Sequence, residues 1–128
     1  MATAVGDLAR LWLPTESAAV CLLASGLGMA GLTILVGNTF AAFPVMIAAI
    51  GVPLLVDLHG ASPGVVAAIG MLCGYCGTLM TPMAANFNLV PAALLGLDRF
   101  AVIRAQLATA IPLLACNLIW IALLGWWW

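Results

Sequence analysis

The chain is poor in charge: of its 128 residues only three are basic and four acidic, 5% in all, and a single histidine is present. Soluble domains carry about 25% charged residues, so this chain cannot keep its surface in water. The 66% hydrophobic content and a mean hydropathy of +1.28 point to lipid as its solvent. The net charge of −1 gives no footing for nucleic acid. The chain lacks paired carboxylates and a Ser/His/Asp set, which leaves nothing to run bond chemistry, so no enzyme is expected. The start, MATAVGDLAR, lacks a basic n-region, and the expectation is insertion by the spans themselves, without a cleaved signal.

Cysteine is scarce too, with four residues, and the pair Cys73-Gly-Tyr-Cys76 has a CxxC spacing. A zinc site needs two further ligands, and His59 stands alone in a polar stretch. In a bilayer helix, small residues such as Gly70, Cys73, Gly74 and Gly77 serve close helix packing. We therefore read the thiols as packing residues, with no cofactor.

What is abundant is long apolar sequence. A polar N-terminal segment, 1–16, precedes a membrane domain, 17–128, with helical runs at about 18–36, 40–56, 65–80 with 89–97, and 105–125. At roughly 20 residues per span the length allows about four or five segments. The runs are continuous rather than alternating, which excludes barrel strands. The fold class is an all-α, polytopic membrane bundle. Asp57–Gly64 is the aqueous turn, Asp98–Arg104 marks another interface, and the closing tryptophans read as an interfacial anchor.

Two polar breaks interrupt this pattern: GNTFAAFP from Gly37, and GTLMTPMAANFN from Gly77 to Asn88. Irregular backbone at membrane depth is tolerated only where protein or a water-filled cavity satisfies its N–H and C=O groups. Helices interrupted in this way build the solute sites of transporters. Gly37 can end one half-helix and Asn38 or Thr39 can cap the next; Pro82 suits the first turn after a Thr81 cap. The plainer alternatives are an aqueous turn at Gly37-Asn38-Thr39, and a proline kink with interhelical asparagine bonds at the second break. Gly37, Asn38, Thr39, Thr81, Pro82, Asn86 and Asn88 are the candidate solute-binding residues, with Asn38 and Thr39 expected close to Thr81–Asn88.

The strings VGNTFAAFPVMIAAIG and GMLCGYCGTLMTPMAANFNLVPAALLGLDRFAVIRAQ resemble the C-terminal part of a bacterial membrane family, domain of unknown function 979, often labelled permease. The resemblance covers about Ser17 to Leu124. It implies kinship with the ion-transporter superfamily, which includes dicarboxylate/sodium symporters built from inverted halves. Each half there has a re-entrant hairpin with a Ser-Asn-Thr-like tip, followed by a helix broken at a Thr-Pro loop. Gly37-Asn38-Thr39 is similar to that tip with glycine in place of serine, and the Thr81–Asn88 loop to the break. The resemblance thus implies one half of an inverted-repeat transporter, with sodium near Asn38, Thr39 and Thr81, or a proton, as the coupling ion. It implies a small anionic or carboxylate solute, such as 5-oxoproline. Family members are about twice this length, so the expected partners besides the lipid bilayer are a second half, a partner membrane subunit or a second copy. The alternative role is a structural or assembly subunit whose breaks dock a membrane partner. In either case Asp57–Pro63 shares a face with Arg10, and Arg99 and Arg104 lie opposite. By the excess of arginine that second face is the cytoplasmic one, with Trp128 external, in a bacterial inner membrane.

Overall fold

A computed structural model describes Asp7, Leu11 and residues 16–127. Arg10, Trp128, the side chains of Arg99, Trp126 and Trp127, and most of the polar N-terminal segment lie outside the described residues. The rest is helical, with no strand among the described residues. The helices are α1 (Ala18–Val36), α2 (Thr39–Val56), α3 (Pro63–Met80), α4 (Ala85–Leu95) and α5 (Arg99–Trp127). Four of them, α1, α2, α3 and most of α5, are long and apolar enough to cross a membrane.

Lipid gives helices no hydrophobic reason to associate, so small residues and interhelical hydrogen bonds must hold the bundle. This is how α1 and α3 meet. They run parallel, with Gly26 against Cys73, Ala30 against Gly77 and Ile34 against Thr81. The partners in all three pairs are 47 residues apart. The three pairs step by one helical turn of about four residues, so a single face of each helix makes the contact. The closest approach is at Gly77, where an added methyl would sit 2.5 Å from the Ala30 carbonyl oxygen. The sequence grouped Gly70 and Gly74 with Gly77 in that role. Those two instead face side chains, Phe43 for Gly70, and Thr39 and Met29 for Gly74.

Helix α2 returns antiparallel, with Thr39 beside Thr78 at one end and Gly51 beside Val66 at the other. Pro44 and Pro53 lie inside it, and from Ile47 to Val56 its turns widen to i→i+5 bonds. A proline has no N–H to give and crowds the preceding turn, which favours such widening. The loop after Val56 turns through Gly60, at φ +68°, into α3. Helix α5 packs back along α1 and α3. Gln106 donates to the Phe87 carbonyl, Asn117 to the Cys76 sulfur, and Leu118 and Ile121 lie against Gly26. This order places Asp98–Arg104 at the end of the bundle opposite the Asp57–Pro63 loop.

The helix bounds differ most from the expected runs in two places, the starts of α4 and α5. Helix α4 starts at Ala85 rather than about residue 89, because wide turns carry the polar Ala85–Leu89 stretch. Helix α5 starts at Arg99, within the polar stretch Asp98–Arg104 read as an interface, rather than at about residue 105. Its 29 residues give a length of about 43 Å at 1.5 Å per residue. The 19 residues of α1 give about 28 Å. Because Gln106 lies level with Phe87, both breaks sit inside the length of α5 and not at its tip.

Candidate functional site

The chain breaks first at Gly37, which adopts φ +78° and donates its N–H to the Thr33 carbonyl, 2.7 Å away, closing α1. Only glycine enters this region freely. Asn38 then takes an extended conformation and its Oδ1 accepts from the Phe40 N–H at 2.9 Å, capping α2. The expected cap therefore falls on Asn38.

The second break is built differently from expectation. Thr81 does not cap a following helix. It ends α3 in an extended conformation, donates its hydroxyl to the Ile34 carbonyl at 2.7 Å, and accepts from the Met83 N–H at 3.3 Å. Pro82 accordingly lies in the turn and not in the first helical turn, and α4 restarts only at Ala85. Asn88, fully buried, donates its amide to the carbonyls of Thr78 (3.3 Å) and Thr81. Those carbonyls belong to the end of α3, where a helix leaves its last acceptors unpaired. Asn88 thereby binds α4 to the helix it interrupts.

The two breaks touch. A methyl placed on Gly37 would lie 2.8 Å from Met83 Cβ and 2.9 Å from its carbonyl carbon and oxygen. The buried hydroxyls of Thr39 and Thr78 share a hydrogen bond beside that contact, and Thr78 also reaches the Gly74 carbonyl at 3.2 Å. Between the breaks lies a recess of about 140 Å³.

Of the candidate residues, Gly37, Asn38, Thr39 and Asn86 line this recess, while Thr81, Pro82 and Asn88 do not. Three aromatic rings and Thr78 also line it, none of which the sequence had singled out. Tyr75 stands edge-on to Phe40 (centroids 6.1 Å apart, 88°) and to Phe87 (6.4 Å, 71°). Phe40 and Phe87 open α2 and α4, and the two are again 47 residues apart, as Ile34 and Thr81 are. That repeat was a visible signal. Among the described residues no Asp, Glu, Lys, Arg or His lines the recess, so its polarity comes from amides, hydroxyls and the helix starts. The arrangement can bind a small polar solute but offers no nucleophile with a paired base.

The cysteines lie apart from the recess. Cys21, Cys73 and Cys76 are buried, Cys116 is exposed, and all four are free thiols. No group of three or more metal-ligating side chains occurs among the described residues.

The family model described as "Protein of unknown function (DUF979)" matches residues 1–126. The chain belongs to that family. No curated protein and no solved structure matches it.

Proposed function

We propose that this member of the DUF979 family is a membrane permease subunit, and that the recess between its two breaks holds a small anionic solute during secondary transport. One observation carries this: two interrupted helices, from separate parts of the chain, meet at Gly37 and Met83 around a recess lined by the side-chain amides of Asn38 and Asn86. An ordinary surface turn needs no such partner. The starts of α2 and α4 add partial positive charge at the recess, worth about 0.3–1 kcal/mol each for an anion. The kinship with ion-transporter symporters remains part of this proposal. So does the coupling ion, sodium or a proton. Thr81 does not line the recess, whereas Asn38 and Thr39 do, so those two are the better-placed oxygens for sodium. A complete path requires a second transporter half, a partner membrane subunit or a second copy of the chain.

In liposomes carrying the protein together with any membrane partner that co-purifies with it, labelled 5-oxoproline or another small carboxylate should accumulate, and imposing a sodium gradient should change the rate. Asn86→Leu should abolish uptake while leaving the protein inserted. Inserted protein that moves no carboxylate under any gradient would contradict the proposal and favour an assembly role. We place the chain in a bacterial inner membrane, with Arg99 and Arg104 cytoplasmic and His59 external. An impermeant thiol reagent should then label Ser62→Cys on whole cells, in a background free of native cysteine. Label appearing only after lysis would invert the orientation.

A further inference from the structure

We infer that the recess takes small monocarboxylates with an apolar flank, in preference to dicarboxylates, and that Tyr75 is the residue that sets this choice. The inference rests on the recess being a solute site and goes on to name its solute class.

Tyr75 projects from α3 midway between the breaks, half-buried, with Phe40 on one side and Phe87 on the other. The three rings make one side of the recess apolar. Its polar groups are few. The Tyr75 hydroxyl and the Asn86 amide have no hydrogen-bond partner among the described residues, and neither has the Asn38 Nδ2. Those amides and that hydroxyl can all donate, and no cationic side chain accompanies them among the described residues. A single carboxylate offers about four acceptor sites on two oxygens, which a small set of neutral donors can satisfy. A second carboxylate in the same volume of about 140 Å³ would meet ring edges and aliphatic carbon with no countercharge. Burying an unpaired ion in such surroundings is far costlier than burying a methyl. The asparagines are exposed at the rim, whereas Tyr75 joins the polar and apolar parts of the recess in one side chain. It is thus the group that a solute's carboxylate and flank meet together.

Tyr75 is the single tyrosine of the chain, so 3-fluorotyrosine incorporation gives one fluorine resonance, located in the recess. The probes are butyrate and succinate, equal in carbon count, titrated into the protein in nanodiscs. Butyrate should shift the resonance saturably, and succinate should bind at least about tenfold more weakly. By calorimetry, Tyr75→Phe should weaken butyrate by about three- to tenfold, the range expected for one lost hydrogen bond. Its melting temperature should be unchanged because the ring remains. Succinate binding as tightly as butyrate would overturn the inference. So would butyrate binding that leaves the resonance in place and is indifferent to Tyr75→Phe. In both cases a carboxylate still binds, and the transport proposal survives. If neither probe binds and liposomes take up no carboxylate, both fall together.

Discussion

The breaks at Gly37 and at Thr81 solve one problem in two ways. At the first, α1 stops and the chain reverses into α2 over two residues. A glycine at positive φ supplies the turn and Asn38, exposed, caps its own helix through a local bond to Phe40. At the second, four residues separate α3 from α4, and the polar groups are buried and reach across the structure. Thr81 donates to Ile34, and Asn88 donates to Thr78 and Thr81. A reversal can satisfy its backbone locally, because α2 begins beside the end of α1. A break inside packed helices cannot, and it must bring side-chain donors to the carbonyls that the missing turn would have paired. The comparison teaches that the first break depends on backbone conformation and the second on buried amide chemistry.

The largest effect should come at Gly37. Gly37→Ala forces an alanine into the left-handed region, about 1–2 kcal/mol. It also drives a methyl into the Met83 backbone, about 1–3 kcal/mol more. Gly60 has a similar φ but nothing within 4 Å of its added methyl. Gly60→Ala should therefore lose only the first amount, and unfolding in detergent will compare the two. Equal losses would mean that the breaks do not touch.

Next in size, Asn88→Leu should destabilise by about 1–3 kcal/mol, because buried carbonyls lose their donor. Asn38→Ala removes one exposed cap, about 1 kcal/mol. If Asn38→Ala proved the more damaging, the assignment of buried chemistry to the second break would be wrong. The smallest effect concerns the bond between the breaks. A double-mutant cycle of Thr39→Val and Thr78→Val should give a coupling of about 0.6 kcal/mol, the average for such bonds in membrane helices. A coupling of zero would remove that link.

The long apolar runs showed the spans and their order in the sequence, since a bilayer span needs about 20 consecutive apolar residues. Gly37 and Asn38 were legible as well, because a glycine followed by asparagine has few other uses between helices. Thr81-Pro82 misled, since the same pair suits a helix start and a helix end, and only the contact with Ile34 separates them. Asn86 and Asn88 look alike in sequence. Two positions apart on a helical turn they point to different sides, so one lines the recess while the other is buried, and which is which depends on where α3 lies. Tyr75 sits within an apolar helix, where an aromatic gives no sign of its neighbours. The spacing of 47 residues shared by Phe40 with Phe87 and Pro44 with Pro91 was the one cue that pointed there.

Cross-linking tests the meeting of the two breaks most directly. The native cysteines are first replaced by alanine, which should leave the fold intact because Cys73 and Cys76 act as small packing residues. Asn38→Cys and Met83→Cys are then introduced together, and the protein is oxidised in native membranes. A control pairs Asn38→Cys with Ser62→Cys, at opposite ends of the bundle. The account predicts an intramolecular disulfide in the first protein and none in the control. Failure of the first pair to cross-link, with both thiols reactive and the protein folded, would contradict it.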